Sequence, residues 1–233
     1  MTRVVFFDVD FTLIEPGPAF QADGYGAFCA HYGIAVEPAR FDAAVAAAAT
    51  VLEDRDEYAY DPDVFVRYTR RIIEGMGGAG AQLDACAREI FDEWTSFHHF
   101  SLYPDVAPTL RRLVADGIRI GLISNGQRSL EAFERHFALE GLIDAAIASP
   151  DHGFMKPHPS IFEAALRLVE VPARDALMVG DSLRHDIEGA RGAGLRAVLV
   201  RRHGGTPPAD QDEVLRRLGV PVLESLEGLP ALL

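Results

Sequence analysis

Two cysteines in 233 residues, Cys29 and Cys86, are too few and too far apart along the chain to build a disulfide framework. Both lie in helix-like stretches and are expected as free buried thiols, which suits a reducing compartment. Basic residues are also scarce: 22 Lys and Arg stand against 35 Asp and Glu, a formal charge of -13. That balance excludes a nucleic-acid partner, which needs a basic surface. No apolar run reaches the length of a membrane span, and the N-terminus passes straight to charged residues instead of a signal segment. Repeats and low-complexity tracts are missing, and the alanine run at 46–49 reads as helix filler. These absences point to a soluble, cytoplasmic protein. A hydrophobic share of 48% allows a large core, and the length suits one large domain or a core domain with a smaller one.

What is present alternates. Short β-branched and aromatic runs read as buried strands: RVVFFD (3–8), RIGLIS (119–124), AAIAS (145–149), ALMVG (176–180), RAVLV (196–200) and VPVLE (220–224). Between them lie amphipathic stretches at 107–117, 128–137, 160–170 and 186–194, several ending at glycine as helices do. This rhythm predicts βαβ units, and so an α/β fold with a parallel sheet and helices on both faces. Residues 15 to about 100 break the rhythm. They hold no convincing strand and four predicted helices, near 18–32, 38–54, after Asp61-Pro62, and 81–97. The chain is therefore divided into a core of 1–14 and 102–233 and a helical insertion of 15–101.

The first strand ends by setting Asp8 and Asp10 one residue apart, on one face if the strand continues. Two like charges that close resist joint ionisation unless a cation or proton intervenes. In open α/β sheets, ligands bind beyond the carboxyl ends of the strands. Three more polar clusters fall at such ends: Ser124-Asn125-Gly126, Lys156 in KPHP, and Asp181 to Asp186 in GDSLRHD. Singly, each has an ordinary explanation. Ser124 and Asn125 could cap the next helix, Asp181 and Ser182 likewise, and Lys156 could be a solvated lysine before a turn. Together they compose a phosphoryl-transfer site. Asp8 and Asp181 offer hard oxygen ligands for Mg²⁺, Ser124 and the amides of Asn125 and Gly126 suit phosphate oxygens, and Lys156 adds a compact positive charge.

In these four clusters the chain resembles the haloacid dehalogenase superfamily. DVDFTL corresponds to the first motif, SNG to the second, Lys156 in KPHPSIF to the third and GDSLRHDIEGA to the fourth, in the family's order. The resemblance implies a Rossmann-like core with an inserted all-α cap, Mg²⁺ as cofactor and a small phosphorylated metabolite as partner, and it leaves a homodimer open. It makes Asp8 the nucleophile of an aspartyl-phosphate intermediate and Asp10 the acid and base, with the Asp10 backbone carbonyl joining the metal shell. Thr12 would support the loop and border the substrate. Ser124, Asn125 and Gly126 would hold the phosphoryl group, and Lys156 would neutralise charge. Asp181 would ligate the metal, and Asp186 would ligate it directly, act through water or orient Lys156. Phe11 departs from the glycine or asparagine common in relatives. A phenylalanine disfavours positive φ there, so a regular turn or a side chain packed on the cap is expected, with a plain hydrophobic plug preferred.

Asp10 favours phosphate esters over the dehalogenases, which generally lack that acid. Gly180 stands where phosphomutases tend to carry glutamate. A receiver-like phospho-switch would share acids, Ser/Thr and Lys but not Asp10 or the helical insertion. Among the remaining features, His98-His99 reads as hinge packing, since adjacent helical positions do not face each other. His152, His158 and His185 read as turn or capping residues, and Trp94 as insertion core. Arg128 and Arg184 lie near motifs two and four and could meet an acidic substrate. The acidic stretch 53–63 reads as a solvated loop.

Overall fold

Every side chain of VVFF, Val4–Phe7, is buried, and this run (β1) is the strand around which the sheet is built. The computed structural model describes residues 1–53, 58–202 and 211–233. After β1 come β2 (Ile14–Pro16), β3 (Phe100–Leu102), β4 (Arg119–Ser124), β5 (Ala145–Ala148), β6 (Ala176–Gly180), β7 (Arg196–Val200) and β8 (Val222–Leu223). Six of them form one sheet in the order β5-β4-β1-β6-β7-β8, all parallel. The near-continuous apolar runs reflect burial on both faces, as a parallel sheet covered by helices requires. Chain order reverses about β1: β4 and β5 lie to one side and β6, β7 and β8 to the other. That reversal is where such sheets open a crevice at their carboxyl ends.

The chain divides into two compact units, Met1–Glu15 with Leu102–Leu233, and Pro16–Ser101. In the first, Phe6, Met178, Phe162, Ile161 and Leu199 belong to one buried cluster on the sheet. The second is helical: Ala22–His31, Phe41–Ala48, Thr50–Glu53, Asp63–Gly75 and Leu83–Trp94. Its aromatic cluster joins Phe20 to Trp94 (centroids 4.6 Å) and Trp94 to Phe100 (4.9 Å). Its two cysteines are buried and free, with the sulfurs 4.0 Å apart.

Several sequence expectations need correction. The stretch 15–100 contains most of the short strand β2 and the first residue of β3, which pair as a two-stranded ribbon. Three-residue strands are too brief to show periodicity. The helix expected over 38–54 is broken at Ala49, and in the alanine run 46–49 Ala46 and Ala47 are exposed as filler would be while Ala48 is buried. Ala44 and Ala48 are buried, and a Cβ on Gly75 would lie 2.7 Å from the Ala44 methyl, so small residues allow this close helix packing. The helix expected over 186–194 begins earlier, as a π-helical turn at Leu183–Glu188, and continues at Gly189–Gly192. The helix expected after Asp61-Pro62 is found at Asp63–Gly75, and the Asp61 carboxylate accepts from Asp63 N at 3.0 Å at its start. His98 and His99 occupy a 3₁₀ turn, where their rings do meet, centroids 4.0 Å apart. Within the acidic stretch 53–63, residues 54–57 lie outside the described residues. No helix of the described residues is long and apolar enough to cross a membrane.

Candidate active site

β1 leaves the sheet at Asp8, whose amide still donates to Val179 O (2.9 Å) and so prolongs the ladder with β6 by one bond. The chain then turns sharply at Phe11, with φ of 61°. The regular turn expected there is not found, and neither is a buried plug: Phe11 is 43% exposed. A left-handed phenylalanine is strained, by roughly 1–3 kcal/mol, and the surrounding bonds hold it. Phe11 N donates to Ile14 O (2.8 Å) and Leu13 N to Val9 O (2.9 Å). Arg202 donates twice to the Thr12 carbonyl, at 2.6 and 3.2 Å, and pairs with Asp105 at 2.6 Å. Asp105 also accepts from Ser225 Oγ and Leu226 N. Thr12 is fully buried, and its hydroxyl has no partner among the described residues. Sequence reasoning missed Arg202 and Asp105, because nothing local marks an arginine after one strand as the clamp on a loop after another.

The rim at β1 and β6 brings three carboxylates together: oxygen atoms of Asp8, Asp181 and Asp186 lie within 4.8 Å of one another. Lys156, 2% exposed, reaches the same point, with Nζ 2.6 Å from Asp8 Oδ1 and 2.7 Å from Asp186 Oδ1. The alternative of a solvated lysine before a turn therefore fails. Asp186 Oδ2 accepts from Ser182 N (3.0 Å), so Asp186 is held at both oxygens and orients Lys156. Room for it comes from Gly180: a Cβ there would lie 2.3 Å from the Asp186 carboxyl carbon.

Charge in this cluster is frustrated. Burial pushes the Asp8 carboxyl up, Lys156 pulls it down, and Asp186 adds to the rise; the net direction is upward. Burial and then repulsion from Asp8 and Asp186 drive Asp181 well above the ordinary carboxylate range. Burial alone would lower Lys156, but Asp186 and Asp8 outweigh it and the ammonium is held firmly protonated. Three acids against one lysine leave net negative charge in a buried place, which a hard divalent cation would neutralise. An all-oxygen donor set fits Mg²⁺.

The loop after β4 supplies the opposite wall. Ser124 is buried and its Oγ accepts from Gly126 N (3.0 Å). A Cβ on Gly126 would stand 3.3 Å from both Asp10 Oδ2 and Ser124 Oγ, so a bare backbone faces these two groups. Asn125 is engaged at both ends with the Lys156 backbone, donating to its carbonyl (3.0 Å) and accepting from its amide (2.7 Å). The carboxamide thus locks the β4 loop to the segment carrying Lys156. Ser124 and Asn125 do not cap the next helix. That helix is Leu130–His136, and Ser129 caps it by accepting from Ala132 N (3.2 Å). Ser182 does cap its turn, accepting from His185 N, and His158 caps Pro159–Val169. Asp181 makes no such cap. The Asp10 carboxylate stands outside the three-acid cluster and contacts Arg128, whose side chain is 4% exposed. Burial lowers the Arg128 guanidinium to about 10 while Asp8 opposes that shift, so it remains a cation at neutral pH.

Comparison with known proteins agrees with this architecture. A glyceraldehyde 3-phosphate phosphatase of Pyrococcus abyssi is 30% identical over 206 residues, covering 86% of this chain and 82% of that protein. The human N-acylneuraminate-9-phosphatase is 33% identical over 165 residues, 70% of this chain and 64% of its own. A haloacid dehalogenase-like hydrolase domain-containing protein 3 of Xenopus laevis is 32% identical over 126 residues, 54% of this chain, and the match spans about half (51%) of that relative's length. Among solved structures, a 2-haloacid dehalogenase from Pseudomonas syringae pv. Tomato superposes with a TM-score of 0.62 at 27% identity, over 99% of this chain and 97% of that one. A HAD phosphatase from Thermococcus onnurineus gives 0.63 at 22% identity, over 100% and 97%, which bears on the fold. The family model of the haloacid dehalogenase-like hydrolases matches residues 2–194, a span that takes in all four polar strand ends, and the chain belongs to that family.

Proposed function

We propose that this protein hydrolyses small phosphomonoesters in a Mg²⁺-dependent reaction through an aspartyl-phosphate on Asp8. The observation that carries the reading is the convergence of Asp8, Asp181, Asp186 and Lys156 at one point, with a second acid, Asp10, two residues beyond the first. A dehalogenase has no leaving oxygen to protonate and no use for Asp10. Relatives at 30% identity or more are named as phosphatases, which supports the same choice.

Asp8, Asp181 and Asp186, with the Asp10 carbonyl, are the groups that would hold Mg²⁺. Bound there, the ion would offset the charge of the acids and of the phosphate. In the first half-reaction an Asp8 carboxylate oxygen attacks phosphorus and the ester P–O bond breaks. Asp10 gives its proton to the departing oxygen. In the second, water attacks phosphorus and passes a proton to Asp10, the P–O bond to Asp8 breaks, and inorganic phosphate leaves. Lys156 holds Asp8 in place and answers the added charge. The Ser124 hydroxyl donates to a phosphoryl oxygen, as does the backbone amide of Asn125, since the Asn125 side chain is spent on the Lys156 backbone and the Gly126 amide on Ser124 Oγ. Little covalent chemistry is asked of the protein; placement and neutralisation are the work.

The test is phosphate release over many turnovers from p-nitrophenyl phosphate with Mg²⁺ present. Asp8→Asn should abolish it while the far-UV spectrum stays native. Retained turnover would remove the nucleophile, and stoichiometric labelling without turnover would point to a phospho-switch.

A further inference from the structure

Arg128 has no part in the chemistry above, yet its guanidinium is buried against Asp10. Hiding a cation is costly, and an apolar side chain would close the same space without that cost. Its location points to a ligand. Asp10 is the group that meets the leaving oxygen, so whatever touches Asp10 stands beside the leaving alcohol. Two hydrogen bonds in series, with a carboxylate between them, put the guanidinium roughly 5–8 Å from the ester oxygen. An anionic group bonded to that guanidinium on its substrate side then sits a few covalent bonds from the ester oxygen. Lys156 is committed to Asp8 and Asp186, so a second negative charge on the substrate needs a cation of its own in this acid-rich chain. The planar fork of arginine matches a carboxylate in a way a lysine ammonium does not.

We propose that Arg128 binds a carboxylate on the leaving group, so that the preferred substrates are phosphate monoesters of short hydroxy acids. The proposal rests on the phosphatase reading and names its substrate class. When such a substrate enters, its carboxylate takes up the guanidinium that Asp10 otherwise faces, and the ester oxygen comes to Asp10. Arg128 is thereby a specificity-determining residue, acting on the group next to the bond that breaks.

Matched substrate pairs test this with the full-length protein and Mg²⁺: 3-phosphoglycerate against glycerol 3-phosphate, and phosphoserine against phosphoethanolamine. Within each pair the carboxylate is the main change. The wild type should favour the carboxylate member in kcat/KM by about tenfold or more, the scale of a hydrogen bond to a charged group. Arg128→Gln should bring that ratio close to one, chiefly through KM, and Arg128→Lys should restore part of it. A wild type without preference, or a folded Arg128→Gln that loses equally on both members, overturns the proposal. The second result would make Arg128 a phosphoryl-binding or merely structural cation. Should Arg128→Gln not fold, the wild-type ratios and Arg128→Lys decide. Absence of phosphate release from every substrate, p-nitrophenyl phosphate included, would instead remove the phosphatase reading, and this proposal with it.

Discussion

Lys156 Nζ stands 2.6 Å from Asp8 Oδ1, two groups separated by 148 positions of sequence and joined in the buried rim of the sheet. Removing one partner of a buried pair leaves the other charge uncompensated, a loss of about 3–5 kcal/mol. Lys156→Met should therefore lower the urea midpoint at unchanged slope as well as abolish turnover. Adding Asp186→Asn to Lys156→Met should return part of the stability, because one stranded charge is gone. Additive losses in the double variant would contradict the coupling.

The raised Asp8 and Asp181 carboxyls make a pH prediction whose sign is definite. A carboxyl raised on folding holds its proton in the folded chain over a range where the unfolded chain, with its ordinary value of 3.8, has already released it. Across that range the folded chain binds more protons, and stability falls as pH rises. Asp181→Asn removes the most raised of these groups. In EDTA it should melt above the wild type at pH 7.5, by a few degrees for each kcal/mol of relieved repulsion, about the scale for a domain of this size, and the gap should narrow toward pH 4. Mg²⁺ should raise the melting temperature of the wild type at pH 7.5 and not that of Asp181→Asn. A wild-type melting temperature indifferent to Mg²⁺ would contradict the three-acid metal site.

Gly180 is a packing requirement of the site. A Cβ there meets the Asp186 carboxyl at 2.3 Å, so Gly180→Ala must displace the residue that holds Lys156. Overpacking of this kind costs about 1–3 kcal/mol, and a displacement of order 1 Å at a reacting group can cost ~10²-fold in rate. Steady-state kinetics of Gly180→Ala should show that loss mainly in kcat. Wild-type kcat in the variant would mean that Asp186 has no positioning role.

Asp10→Asn separates acid catalysis from placement. General acid help is worth about 10²–10⁴-fold for a poor leaving group and much less for a good one. Hydrolysis of an alkyl phosphate should fall further than that of p-nitrophenyl phosphate. Equal losses on the two would count against Asp10 as the proton donor.

The sheet was legible because buried parallel strands are short apolar runs between helical stretches, and RIGLIS, ALMVG and RAVLV stand at the residues read from the chain. The site was legible in outline for a related reason: strand ends in such a sheet converge, so polar residues that follow apolar runs become neighbours. Less was legible where contact depends on shape. Nothing in SNG reveals that Asn125 is turned away to bind the Lys156 backbone, nor that Ser129 and not Ser124 caps the helix. Phe11 in a left-handed conformation runs against its own preference, and only the bonds around it, Arg202 on Thr12 among them, hold the turn.

Local patterning alone therefore determined the strands of the main sheet and the residue chemistry at their ends, because period, length and turn residues are properties of neighbours in sequence. Tertiary structure decided the rest: which acids share a lysine, which carboxylate Arg128 meets, and which glycine must stay bare for Asp186. Those outcomes depend on distances of a few ångströms between segments more than a hundred residues apart in several cases, and no local preference encodes such distances.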